Sequence, residues 1–336
     1  VGMSGFTGAG YPKALPTAIA ERAQAIHAEG KPFQISVITG ASTAPECDGV
    51  LAASGSLKLR SPFQSDPTLR NDINAGKIAY TDVHLSQIEQ QVRFGFFGAM
   101  DVAIVEVVGV TEDGKLIPSM SVGPNNQWVK SAQKIILEVN TQQHAKLETM
   151  HDVFADIGTP PHRRPLLLLN PDDRIGSHYI DCDLDKIVAI VFTDAPDRNS
   201  KFAEPDAISQ RIAEQIIEFF EHEVKHGRLP ENLLPLQSGV GNVANAVLAG
   251  LQHSRFENIT GFTEVLQDGM LDLLLSGKMA SASATALSFS PDALQRFNDN
   301  IDFLRDKIIL RPQEITNSPE LIRRLGVIGM NAMIEA

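Results

Sequence analysis

The sequence predicts an α/β protein built on largely parallel sheets. Near-continuous apolar runs rich in β-branched residues recur, as in KIILEVN at 134–140 and KIVAIVFT at 186–193. Such runs suit parallel strands covered on both faces. Segments with helical spacing alternate with them, the pattern of βαβ units. The chain has 336 residues, 43% of them hydrophobic, which is enough for a substantial core and suits two domains.

The elements follow in order. VGMSGFTG at the start reads as a strand running into a glycine-rich turn. A helix is expected from about Pro16 to Glu29, because proline suits a first helical turn and Gly30 ends it. FQISVITG, 33–40, alternates Phe33, Ile35 and Val37 and reads as a strand. DVAIVEVVGVTEDGKLIP, 101–118, is a strand, a turn at Asp113-Gly114 and a return strand. After the strands at 134–140 and 186–193 the pattern breaks into a polar, proline-containing link around 194–205, and the domain boundary is expected near 196–204. A long helix is expected over about Pro205 to His226, with Ile208, Ile212, Ile216 and Phe219 as its buried stripe. Alternation then resumes. Helices are expected from about Asn242, from 268, near 291–305 and from Pro319, with strands near 259–264, near 280–289, at KIILRPQEI (307–315) and from Gly326.

Composition narrows the function. The formal net charge is −12, and an acidic surface repels phosphate backbones, so nucleic acid is not expected as a partner. The two cysteines, Cys47 and Cys182, form no C-x-x-C and read as reduced thiols of a cytoplasmic protein. No apolar run approaches the roughly 20 residues of a membrane span, no signal peptide is visible, and no internal repeat is found. The chain opens and closes in strand-like runs, so both ends read as cut, and a targeting segment could precede the start.

Two short patterns invite chemistry. HEVKH, 222–226, fits H-E-x-x-H, in which two histidines hold zinc and the glutamate is the base of a peptidase. Gly227 and Pro230 end the helix at once, and histidines in a last turn complement the helix dipole, so the pair reads as a solvated helix end. A zinc peptidase through His222, Glu223 and His226 is the remote alternative, and no metal is expected. GVGNVA, 239–244, fits the dinucleotide fingerprint G-x-G-x-x-A. Pro235 interrupts the strand that should lead into it. The turn still opens a helix and bares N–H groups able to hold an anion or an oxyanion. A third stretch, GFTEVLQDGMLDLL at 261–274, sets Glu264 at the end of a short strand before a polar turn, where α/β folds place working residues. A helix-capping surface glutamate is the plain reading of that stretch taken alone.

Long stretches then point one way. GFTGAGYPK, ITGAS at 38–42, RSPF at 60–63, LLPLQSGVGNVANAVLAGL at 233–251, FTEVLQDGML at 262–271, KIILRPQEITNSP at 307–319 and RRLGVIGMNAMIEA at 323–336 together resemble the acetyl-CoA hydrolase/transferase family, most closely its succinyl-CoA:acetate CoA-transferases, over essentially the whole chain. The resemblance implies two CoA-transferase-type α/β domains, 1–198 and 199–336, the second incomplete. It implies that Glu264 attacks an acyl-CoA to form an acyl-glutamyl anhydride and then a glutamyl-CoA thioester, which a second carboxylate resolves. A carboxylate suits this chemistry because its anhydride and thioester keep the acyl group activated. Both hydrolyse, so the site should exclude water. The resemblance further implies an oxyanion donor at the Val240 N–H and a CoA-binding turn of Gly239, Val240, Gly241, Asn242 and Val243. Asn317 would position Glu264 or donate to the oxyanion, unless it only caps the helix at Pro319. Ser42 and, less directly, Arg198 are candidates for the substrate's distal carboxylate. Coenzyme A is implied as a substrate with no resident cofactor, small carboxylates as co-substrates and a homodimer as the assembly. Acetyl-CoA hydrolysis by the same glutamate is the closer alternative, and acyl-CoA binding without turnover a further one. The family's later glycine-rich CoA-binding segment has no counterpart in this sequence, which predicts poor activity for these residues alone.

Overall fold

The computed structural model describes residues 1–155, 157–198, 205–239 and 241–331. The first half contributes strands β1 (Gly2–Met3), β2 (Ile35–Ile38), β3 (Leu57–Ser61), β4 (Ala79–Tyr80), β5 (Met100–Val110), β6 (Leu116–Pro118), β7 (Ala132–Asn140) and β8 (Ile187–Thr193). Its helices are α1 (Leu15–Ala28), α2 (Val50–Ala53), α3 (Pro67–Asn74), α4 (Ile88–Arg93) and α5 (Asn125–Ser131). Among the described residues the strands form one eight-stranded sheet in the order β4-β3-β2-β1-β5-β7-β8. All pairs along that path are parallel, and β6 returns antiparallel on β5 through the expected Asp113-Gly114 turn, where Gly114 takes φ +82°.

The second half contributes helix α6 (Ala207–Lys225), then β9 (Leu236–Ser238), α7 (Asn242–His253), β10 (Ile259–Phe262), β11 (Val265–Leu266), α8 (Asp268–Leu275), β12 (Met279–Ala284) and β13 (Ala286–Leu287). It continues with α9 (Pro291–Asp299), α10 (Ile301–Leu304), β14 (Ile308–Leu310), α11 (Gln313–Thr316), α12 (Pro319–Leu325) and β15 (Ile328–Met330). Among the described residues a five-stranded parallel sheet runs β14-β12-β10-β9-β15, and β11 pairs with β13 beside it. The fold class is the predicted one.

Burial explains the strand pattern. Along β5, Ala103, Val105 and Val107 enter one apolar cluster, while Ile104 enters another with Val37, Leu51 and Leu57. The first sheet therefore buries both faces at its centre, and each enclosed Val, Ile or Leu contributes about 1.5–3 kcal/mol relative to exposure. The larger cluster continues from Trp128 and Leu137 into Val247 and Leu271 of the second half. Backbone pairing also crosses between the halves: Val122 N–H donates to Thr285 O at 2.9 Å, and Leu310 N–H to Met150 O at 2.8 Å.

Three expectations need correction. The 186–193 run was expected to be covered on both faces, yet β8 is a sheet edge, with Val188, Ile190 and Phe192 at 55%, 50% and 71% exposure. Its β-branched composition reports strand propensity and does not by itself report a neighbour on each side. The expected stripe of α6 is also displaced. Ile208, Ile212 and Phe219 are exposed, and Ala213, Phe220 and Val224 are buried, with Ile216 packed against them. The helix has two apolar faces, and the one carrying small Ala213 approaches α7, where Gly250 receives the tip of Ile217. Finally, KIILRPQEI is not one strand. Pro312 ends β14, and Gln313–Thr316 turn into α11, since proline removes a ladder donor.

Candidate active site

Parallel strands deliver their carboxyl ends, and the loops beyond them, to one edge of the sheet. In the second sheet β10 is the central strand, and Thr263 and Glu264 follow its last residue. Thr263 N–H donates to Ser283 O at 2.9 Å, which extends the β10–β12 pairing to the residue before the glutamate. Glu264 O then accepts from Thr285 N–H at 2.9 Å. Thr285 is itself held from the first half, because its Oγ1 accepts from Gly123 N–H at 3.1 Å. The main chain at Glu264 is thus fixed from both sides before its side chain leaves it.

That side chain is half-buried and enters a cleft of about 400 Å³. Gln237, Phe262, Thr263, Thr316, Asn317 and Ile322 are among its walls. Asn317 Nδ2 donates to Glu264 Oε1 at 2.5 Å. The amide is oriented for this, because Thr316 Oγ1 donates to Asn317 Oδ1 at 2.8 Å and leaves the NH₂ end facing the carboxylate. Burial pushes the Glu264 carboxyl above its ordinary range, and the Asn317 hydrogen bond pulls it partly back. The two effects oppose each other, and burial is the larger. The Asn317 position also settles its capping reading: Ser318 is the N-cap of α12, accepting from Leu321 N–H, and Asn317 ends α11.

The glycine turn lies next to this cleft. A short strand, β9, does lead into it, which the sequence reading of Pro235 discounted. Pro235 stands just before the strand and contributes only its carbonyl, which accepts from Ile328 N–H at 2.8 Å. Gly239 N–H donates to Met330 O at 3.0 Å. A Cβ on Gly239 would lie 2.5 Å from Asn331 Oδ1, a residue of the cleft wall, so a larger residue here would push that side chain aside. Gly241 takes φ +136°, a conformation that favours glycine, and opens α7. Asn242 and Val243 form its first turn, the first exposed and the second half-buried. Val240 lies outside the described residues.

Ser42 and Arg198 occupy a second loop cluster, built on the Phe6–Ala9 turn. Thr7 N–H donates to Ser42 O at 2.9 Å, and Arg198 N–H to Gly8 O at 3.1 Å. Ser42 is buried, and the Arg198 guanidinium pairs with Glu46. Two residues before Ser42, the Gly40 carbonyl accepts from Gln313 Nε2 at 3.1 Å, which ties this cluster to the α11 turn carrying Asn317. The sequence reading missed Thr285, which directly follows β12, and Gln313, which opens α11.

The HEVKH histidines stack with ring centroids 4.1 Å apart, and His226 Nδ1 contacts His222 O at 2.8 Å. Glu223 is held by Arg228 at 2.5 Å. Among the described residues no group of three or more His, Cys, Asp or Glu is placed to hold a metal ion. No helix among them is long and apolar enough to cross a membrane.

Residues 1–192 match the acetyl-CoA hydrolase/transferase N-terminal domain. The chain belongs to the acetyl-CoA hydrolase/transferase family. Over 335 residues, the whole of this chain and 62% of the relative, it is 44% identical to a succinyl-CoA:acetate CoA-transferase of Clostridium kluyveri. It is 41% identical to a propanoyl-CoA:succinate CoA transferase of Escherichia coli, covering 68% of that protein, and 42% identical to an acetyl-CoA hydrolase of Schizosaccharomyces pombe, covering 65%. The chain therefore spans less than two thirds of the first and third of these relatives. RipA from Yersinia pestis superposes with a TM-score of 0.70 at 18% identity, over 98% of this chain and 68% of that one. A 4-hydroxybutyrate CoA-transferase from Porphyromonas gingivalis does so with 0.60 at 17%, again over 98% and 68%. At such identities these structures speak to the fold alone, and they agree with the α/β architecture.

Proposed function

We propose that this protein transfers CoA from an acyl-CoA to a carboxylate, with Glu264 as the nucleophile. The observation that carries the reading is the half-buried Glu264 carboxylate in a cleft, fixed at the end of the central strand and met by Asn317 Nδ2 at 2.5 Å. Glu264 attacks the thioester carbonyl, the C–S bond breaks, and CoA leaves as thiolate from a mixed anhydride. The thiolate attacks the glutamyl carbonyl and expels the first carboxylate, leaving a glutamyl-CoA thioester. An acceptor carboxylate runs the two steps in reverse, departs as the new acyl-CoA and frees Glu264. No oxidant, reductant or net proton is required.

Each step passes through a tetrahedral oxyanion that needs donors. The Val240 N–H is the proposed donor from the glycine turn, and Asn317 the donor from the opposite wall. The turn of Gly239, Gly241, Asn242 and Val243 is proposed to lie along CoA, with Ser42 and Arg198 on the acyl side. Phe262 and Ile322 keep the wall near the reacting carboxylate apolar, which slows hydrolysis of the intermediates. The domain division is proposed at 198/199, and the active species is proposed to be a cytoplasmic homodimer.

A second reading, acetyl-CoA hydrolysis by the same glutamate, is favoured by the 42% identity to a hydrolase. One assay separates them. Full-length protein is incubated with succinyl-CoA, with and without acetate, while acetyl-CoA and free thiol are followed. The transferase reading expects acetate-dependent acetyl-CoA without free thiol, and loss of at least about a thousandfold in rate on Glu264→Ala. Free thiol released at the same rate without an acceptor selects the hydrolase. A Glu264→Ala protein that keeps its rate sinks both.

A further inference from the structure

Asn317 reaches Glu264 from the end of α11, a single helical turn, and a turn that short does not hold itself. Its supports come from residues far earlier in the chain. Gln313 N–H donates to Gly123 O at 3.1 Å, and its side-chain Nε2 donates to Gly40 O at 3.1 Å and Leu85 O at 2.7 Å. Glu314 N–H donates to Glu89 Oε1 at 3.2 Å. The Glu314 carboxylate receives Arg93 in two-pronged fashion, at 3.2 and 2.8 Å, and the remaining Arg93 Nε donates to Gln127 Oε1 at 2.9 Å. Asn317 N–H closes the turn on Gln313 O at 2.9 Å.

The Glu314–Arg93 pair is buried, with side chains 3% and 12% exposed. Taking two charges out of water offsets most of their attraction, so such a pair is weak evidence of stabilisation. What a forked guanidinium does supply is direction: two parallel hydrogen bonds fix the carboxylate in plane and in angle. Glu314 lies three residues before Asn317 on the same turn, so its orientation sets the rotation of the turn and hence the aim of the amide. Burial and the neighbouring Glu314 push the Glu89 carboxyl well above its ordinary range, while the Arg93 fork goes to Glu314.

We infer that Glu314, held by the Arg93 fork, is a positioning residue that aims Asn317 at Glu264 and acts on turnover through Asn317. The inference rests on the proposal that Glu264 is the nucleophile and adds to it a device built from the first half of the chain.

A double-mutant cycle in the full-length protein tests it, with kcat and KM read separately. Glu314→Gln is expected to lower kcat several-fold, up to about the tenfold loss of Asn317→Ala, with the KM for acyl-CoA unchanged, since sub-ångström misplacement of a reacting group is costly. In an Asn317→Ala background the same substitution is expected to change kcat less than about twofold, because the residue it aims is gone. Arg93→Lys keeps the charge, loses the fork and is expected to repeat both results, which serves if Glu314→Gln does not fold. Losses that multiply in the double variant, or a lower melting temperature with kcat unchanged, overturn the inference and leave a plain structural contact. Glu264→Ala run alongside keeps the two ideas apart: activity surviving there removes the nucleophile itself, whatever the cycle shows.

Discussion

Asn317→Ala isolates the contact on which the proposed chemistry depends. The substitution deletes one donor, at 2.5 Å from Glu264 Oε1, and leaves the Ser318 cap of the next helix in place. A hydrogen bond to a charged group contributes about 1.5–3 kcal/mol. Glu264 is half-buried in an open cleft, so water replaces part of the lost donor and the lower end applies. About 1.5 kcal/mol corresponds to roughly a tenfold loss in kcat. The pH profile gives a second reading with a fixed sign. The amide favours the ionised carboxylate and opposes the upward push of burial. Removing it moves the Glu264 ionisation higher, so the acid limb of kcat/KM shifts to higher pH. The assay is acyl-CoA exchange with acetate over about pH 5 to 9, in wild type and variant, spanning the range of a raised carboxyl. An acid limb that moves down, or a variant indistinguishable from wild type at every pH, rules out this role for Asn317.

Other expectations concern stability and metal. Glu89 is fully buried with its carboxyl raised chiefly by desolvation. Above the ordinary carboxylate range the unfolded chain releases this proton while the folded chain keeps it, so Glu89 erodes stability as pH rises toward its folded value. Glu89→Gln, which keeps a neutral side chain, should gain on wild type by up to about 1.4 kcal/mol per pH unit over that window in urea melts, and match it near pH 4. Equal pH slopes in the two proteins contradict the assignment. In Gly40→Ala the new Cβ meets Gln313 Oε1 at 2.7 Å, Gly5 O at 2.8 Å and Pro124 Cδ at 2.9 Å, so the variant should lose about 1–3 kcal/mol by thermal melting; an unchanged melting point refutes the tight packing claimed there. Since Glu223 is engaged by Arg228, His222→Ala and treatment with a chelator should both leave exchange activity unchanged. Stoichiometric zinc lost on His222→Ala would revive the peptidase reading.

Much of the scaffold was legible because it is local. The apolar runs at 134–140 and 186–193, the Asp113-Gly114 turn and the Pro16–Glu29 helix all carry their own propensity, and each appears close to where it was expected. Periodicity shows that an apolar face exists, and it does not show which of two faces meets a partner, so the stripe of α6 and the coverage of β8 were misread. Glu264 and Asn317 were named from motifs more than fifty residues apart. Their meeting depends on β10 and β14 ending at the same sheet edge, with only β12 between them. The support of Asn317 by Gly40, Leu85 and Arg93 was beyond reach for a plainer reason. Those partners lie more than two hundred residues away in sequence, and spacing within a window carries no trace of them.

In the proposed mechanism Glu264 itself becomes acylated and then thioesterified. The direct measurement is the mass of the peptide containing Glu264 after full-length protein is incubated with succinyl-CoA, quenched in acid and digested. The expected result is a mass increase equal to CoA less one water on that peptide, absent in Glu264→Ala. An unmodified Glu264 peptide from protein that is turning over acyl-CoA contradicts it.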